Sequence, residues 1–251
     1  ALATLPLTTL RLGGCSALTD DIGPALAKMV TLRELDLAQL PKANGALLQD
    51  LPIQLERLAI GGNTHWRATT LALLPTFSSL FELRADGGLS GYAELAWAAG
   101  TSLRLLEIAA PAGRLSQDGS ATQPAVDPQQ VADLERLLAA QVHLESLILH
   151  PGLGVPRSLI EVAGALPYLR SLELHVPSDL APLARSRTLQ ELRLVDNAFD
   201  GSALASLRDV PLRVLDVRNT RCDPATVQKL ATEHWPGCTV VLPNGSRFRT
   251  R

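Results

Sequence analysis

Two histidines recur in one setting: "LESLILH" ends at His150, "LRSLELH" ends at His175, and Glu173 stands two residues before the second. Imidazole and carboxylate side by side are the materials of a zinc site or of acid-base catalysis. A catalytic zinc centre normally takes three protein ligands oriented by an outer layer of hydrogen bonds. The places equivalent to these histidines in the flanking copies of the pattern hold Ala109 and Val195, which ligate nothing. The three cysteines, Cys15, Cys222 and Cys238, form no Cys-x-x-Cys pair, and Cys15 reads as a buried structural thiol. No phosphate-cradling glycine loop, His-Glu-x-x-His helix or nucleophile elbow occurs, and "GLGVPRS" from Gly152 lacks the full dinucleotide fingerprint. The residues therefore predict no catalytic group, no metal, no cofactor and no small-molecule substrate. A metal-dependent hydrolase using His150 and His175 is the alternative from the enzyme class.

What brings the histidines together is a repeat. The pattern L-x-x-L-x-L starts at Leu7, Leu32, Leu55, Leu80, Leu103, Leu144, Leu169, Leu189 and Leu212, and in degenerate form as "WPGCTV" at Trp235. Alternation predicts a short strand in each copy, with the first, fourth and sixth positions inward and the third, fifth and seventh outward. Strands recurring about every 20 to 25 residues pair with their neighbours in parallel. His150 and His175 then occupy the seventh position of adjacent strands, ~4.8 Å apart. Segments such as "TDDIGPALAKM", "DPQQVADLERLLAAQ" and "DPATVQKLATEH" close the coils; in the second, Asp127 caps a helix that starts at Pro128 and packs Leu134, Leu137 and Leu138.

On these motifs the sequence resembles the leucine-rich repeat family along essentially its whole length. The resemblance implies an α/β solenoid of about ten repeats, with a curved parallel β-sheet on the concave side and helices and loops on the convex side. It also implies that the residue eight positions after each motif start satisfies backbone groups at the turn, a role open to Cys15, Asn63 and Asn197. Residues 1–251 read as one domain, with an insertion at about 111–130 and a capping hairpin at about 235–251 turning at Asn244-Gly245. Little precedes the first strand, so the chain reads as the repeat domain of a longer protein.

The outward face follows from the register. Opposite charges fall on neighbouring strands: Arg11 with Asp36, Arg84 with Glu107, Glu173 with Arg193 and then Asp216, and Glu34 and Glu82 about Arg57. Such pairs stabilise a sheet by ~0.2 to 1 kcal/mol each. They need no ligand. Between them Leu105, Ile148, His150, His175 and Val195, with Phe81 near the rim, occupy outward places where a solvated face would carry charge. An apolar patch rimmed by charge predicts recognition of another protein, with the histidines adding pH sensitivity.

Charged residues make up 19% of the 251 and the formal net charge is -2, which gives no bulk attraction to nucleic acid. No secretory signal opens the chain and no apolar run approaches ~20 residues, so no membrane partner is expected. Only Lys28, Lys42 and Lys229 among the basic residues are lysine, a bias of GC-rich genomes. Together these features resemble the repeat domains of type III secreted effectors of plant- or animal-associated bacteria. That resemblance implies a virulence module acting on host proteins, with the substrate-targeting domain of a ubiquitin ligase-type effector as an alternative. It also implies a location in the bacterial cytoplasm, or in the host cell without a classical signal peptide.

Overall fold

The computed structural model describes residues 5–63, 66, 73–85, 103–109, 128–150, 155–175, 179–195 and 199–251. It divides into two compact units, one reaching Ala109 and taking in Pro128–Gln141, the other running from Val142 to Arg251. The insertion expected at 111–130 lies outside the described residues except for Pro128, Gln129 and Gln130, which belong to a helix.

The first unit is built on five strands, β1 (Thr9–Arg11), β2 (Glu34–Asp36), β3 (Arg57–Ala59), β4 (Glu82–Ala85) and β5 (Leu105–Ala109), paired in parallel in chain order. The register runs Leu10, Leu35, Leu58, Leu83, Leu106, so fourth positions lie opposite one another as the repeat requires. The second unit continues with β6 (Ser146–His150), β7 (Ser171–Leu174), β8 (Glu191–Leu194), β9 (Val214–Asp216) and β10 (Thr239–Val241), also parallel, and closes with β11 (Arg247–Arg249), antiparallel to β10.

Burial explains why the pattern is so strict. Every first, fourth and sixth position from Leu32 to Val217 is at most 3% exposed, because the strand turns these three side chains onto the apolar side chains of the return segment, such as Leu40, Leu47 and Leu48 in the β2 coil. Replacing a buried leucine by alanine costs about 2 to 5 kcal/mol, so each of these places resists change. The β1 coil differs: Leu10 and Leu12 are half-exposed, since only β2 covers them. Cys15 shares that environment and is exposed, not buried as the sequence suggested.

The return segments are short. Among the described residues four α-helices, α1 (Gly23–Leu26), α2 (Pro128–Ala140), α3 (Arg157–Ala165) and α4 (Pro224–His234), accompany single 3-10 turns such as Ala46–Asp50, Ala181–Arg185 and Ser202–Leu207. Helix α2 buries Leu134, Leu137 and Leu138 as its spacing predicts, while its expected cap Asp127 lies outside the described residues. Among the described residues no helix is long and apolar enough to cross a membrane. The same α/β pattern, strand then turn or helix, recurs in both units, and the fold is a leucine-rich repeat solenoid.

Two details of the turns carry the stacking. Asn63 is fully buried; its Oδ1 accepts from Leu40 N–H at 2.7 Å, and its Nδ2 donates to the Leu37 and Ile60 carbonyls at 2.8 and 2.9 Å. One amide thus ties two coils together. At the equivalent place Thr220 does part of that work, donating its hydroxyl to the Val217 carbonyl at 2.7 Å. Asn197 lies outside the described residues.

The last motif is displaced from its expected start at Trp235. Val240, not Cys238, lies opposite Leu215. Trp235 ends α4, is buried, and donates its indole N–H to the Leu207 carbonyl at 3.2 Å; Gly237, at φ 77°, then turns the chain into β10. A shift of two residues leaves the inward and outward faces unchanged, which is why the core tolerates it.

Candidate functional site

The side of the sheet away from the core carries the residues with chemistry, in rows set by the parallel register. In the first unit the fifth-position row is Arg11, Asp36, Ala59, Arg84, Glu107 and the third-position row is Thr9, Glu34, Arg57, Glu82, Leu105. The ions link diagonally as well as straight across. Arg11 meets Glu34 at 3.4 Å, Arg57 meets Glu34 at 3.7 Å and Glu82 at 3.2 Å, and Arg84 meets Glu82 at 2.7 Å and Glu107 at 3.1 Å.

The expected pair Arg11 with Asp36 does not form. Asp36 is too short to follow the long side chain outward; its carboxylate accepts from Ala38 N–H at 2.9 Å and closes over Gly13, where a Cβ would stand 2.9 Å from its oxygens. The same substitution of partners occurs at Asp216. That buried carboxylate takes Arg218, with Nη2 at 2.8 Å and the backbone N–H at 3.1 Å, instead of Arg193. Arg193 lies 3.9 Å from Glu173, as expected, and 3.8 Å from Glu191. The bonded Asp216 raises the affinity of the Arg218 guanidinium for its proton.

Of the six residues expected to bind a partner, two lie in the first unit. Leu105 stands half-buried in β5 beside Glu82. Phe81 precedes β4, half-buried, with the Arg57 guanidinium 5.2 Å above its ring, a cation–π contact that shields one face of the aromatic. The other four lie in the second unit. Ile148 is outward and half-buried opposite Glu173. His150, His175 and Val195 follow in the seventh-position row, all half-buried. His175 N–H donates to Leu149 O and Val195 N–H to Leu174 O, which locks the row in step.

The imidazoles of His150 and His175 lie with ring centroids 5.2 Å apart and planes tilted by 38°. His175 Nε2 is 3.2 Å from Glu173 Oε1, and the other oxygen of that carboxylate faces Arg193. The carboxylate is thus shared between an imidazole and a guanidinium. Among the described residues no group of three or more His, Cys, Asp or Glu side chains is placed to hold a metal ion. Sequence reasoning missed Arg218, which extends the seventh-position row beyond Val195; its signal was the arginine six residues after Leu212.

The remaining thiols are spoken for by packing. Burial pushes Cys222 above its ordinary pKa and Cys238 up to about 11, so neither is a nucleophile near neutral pH.

No family model matches the chain, and no curated protein matches it. Among solved structures it is similar to internalin C2 of Listeria monocytogenes, at 17% identity over 86% of this chain and 73% of that one, with a TM-score of 0.42. It is also similar to the internalin inlF of the same organism, at 18% identity over 83% and 61%, TM-score 0.45. A third likeness is to TLR13 in its complex with ssRNA13, at 15% identity over 94% and 35%, TM-score 0.45. The match spans less than two thirds of the length of the last two.

Proposed function

We propose that this chain is a protein-binding module that recognises its partner through the outer face of the sheet. The observation that carries the reading is the row in the second unit where Ile148, the His150–His175 pair and Val195 stand half-buried on successive strands, flanked by Glu173, Arg193 and the Asp216–Arg218 pair. Apolar and aromatic groups beside fixed charges supply both contact area and orientation to a docking protein. The finer reading is a bacterial effector domain acting on a host protein, from the cytoplasm of the bacterium or inside the host cell; its support is the lysine-poor composition and the resemblance of the repeats. Partner identity then decides between a stand-alone binder and the targeting part of a ubiquitin ligase-type effector.

The test is a charge placed in the row. Ile148→Arg is expected to weaken capture of the partner, found by pulldown with the parent protein, by ~2 kcal/mol or more, with the melting temperature nearly unchanged because Ile148 does not contribute to the core. Equal affinity of parent and variant, with both folded, would place the interface elsewhere.

A further inference from the structure

The five exposed large apolar residues of the described chain, Leu5, Val30, Ile53, Val142 and Tyr168, all fall one or two residues before a motif leucine, on the rim where the chain enters its strands. In the first unit nothing shows what would cover Leu5, Val30 and Ile53. The rim of the second unit is more informative, because there the apolar side chains meet unbalanced charge. Val142 is 50% and Tyr168 55% exposed, and the Tyr168 ring stacks on His143 of the preceding coil, with centroids 6.2 Å apart and planes at 22°.

Arginines follow on the successive coils. Arg170, Gln190 and Arg213 occupy one row, since Gln190 N–H donates to Arg170 O, Arg213 N–H to Gln190 O, and Thr239 N–H to Arg213 O. Arg187 stands in the turn that leads to Gln190. Arg170, Arg187 and Arg213 are exposed, and their side chains make no hydrogen bond or ion pair among the described residues. Glu145, which begins the row, is half-buried and already engaged, and Asp209 on the same rim lies 3.6 Å from Arg208. On this rim, therefore, these three cations have no counter-charge among the described residues, whereas the arginines of the first unit's sheet face are each matched by a carboxylate.

We propose that His143, Tyr168, Arg170, Arg187 and Arg213 form a second docking surface, separate from the sheet face, for an extended acidic segment of a partner protein. Charge complementarity selects the acid. Spacing selects an extended polyproline II-like form: Arg170 and Arg213 are two coils apart, about 10 Å, close to the separation of residues i and i+3 at ~3.1 Å per residue, and three residues per turn bring both to the same side of the segment. An acidic chain laid across the coils thus meets both guanidiniums in register, with Arg187 beside it and an apolar side chain against Tyr168. The stacked ring offers that side chain a rigid, amphipathic seat.

Fluorescence anisotropy on the full chain tests this with labelled poly-L-glutamate, a peptide repeating glutamate-glutamate-phenylalanine, single-stranded polyuridylate, and phosphatidylserine vesicles. The expected result is saturable, salt-sensitive binding of both peptides, tighter for the one with phenylalanine. Arg170→Ser with Arg213→Ser should weaken it at least about tenfold, while Arg185→Ser with Arg221→Ser, an equal loss of charge elsewhere in the unit, leaves it within about twofold. Tyr168→Ser should remove the advantage of the phenylalanine peptide. Circular dichroism of each variant confirms that the fold is kept. Absence of saturable peptide binding would overturn the proposal, as would equal weakening by the two double substitutions. So would polyuridylate or vesicles binding more tightly than either peptide and losing that binding with Arg170 and Arg213.

Discussion

Asn63 shows how much a single side chain can hold. Its amide satisfies one N–H and two carbonyls inside the first unit, at a place with no access for water. Asn63→Ala would leave three buried backbone groups unpaired, at about 1 kcal/mol or more each. Urea unfolding followed by circular dichroism should then show a loss of about 3 kcal/mol; a loss under about 1 kcal/mol would mean that water or a shifted backbone takes over the bonds. The residue's role was legible through the resemblance to the leucine-rich repeat family, which implies a backbone-satisfying residue at that place, and the asparagine amide supplies both donors and an acceptor. The ionic partners were less legible. Opposition across strands names candidates, but side-chain length decides among them: arginine spans to the diagonal Glu34, while the short Asp36 and Asp216 bond the backbone two residues on. The rim of His143, Tyr168 and the arginines went unread for another reason. These residues precede the strands, outside the alternation that marks a face, and the place two residues before each motif leucine brings Leu5, Val30, Ile53 and Val142 into one column.

At the level of elements, the leucine pattern set the register of nine motifs because identical anchors recur at each step, and it misread the tenth. Trp235, Cys238 and Val240 are all apolar and fit the pattern in two frames two residues apart; the indole's bond to Leu207 O, invisible in sequence, selects between them. The helix before that strand depends on its cap. Asp223 accepts from the Thr226 hydroxyl at 2.6 Å and from the Thr226 N–H at 2.8 Å, and these bonds hold its pKa below the ordinary carboxylate value. A lowered folded-state pKa means stability present above the unfolded value of about 3.9 and lost as pH falls through the folded value. Asp223→Ala should therefore lower the melting temperature by about 2 to 4 °C at pH 7, and the gap to the parent should narrow as the pH drops below about 4. Asp223→Asn keeps the acceptor and should show less than half of that loss. A gap that persists unchanged into acid would assign the effect to something other than the ionised cap.

On the scale of the whole molecule, the two units can be told apart by their thiols. Cys15 is exposed in the first, while Cys222 and Cys238 are buried in the second and protonated near neutral pH. At pH 8 a maleimide should label one thiol rapidly and the other two only as fast as the second unit opens, on the order of a hundredfold slower or more. Rapid labelling of all three in the folded protein would show that the second unit is open at rest. Raising the denaturant should bring in Cys222 and Cys238 together, since Cys222 lies in the coil that follows β9 and Cys238 meets the backbone of Leu215 in β9.

The closing hairpin has a consequence for self-association. Every parallel strand is a template for the next, and a stack of identical coils invites the tail of one molecule to accept the head of another, adding copies without limit. Here β11 runs against that direction, and its Arg247 and Arg249 are exposed on either side of Phe248, while Asn244 and Gly245, the latter at φ 82°, make the reversal. A newcomer would face reversed polarity and like charge at that edge. The parallel run of the second unit thus ends at β11, and a further copy of the repeat could not pair there in the sense that joins β9 to β10.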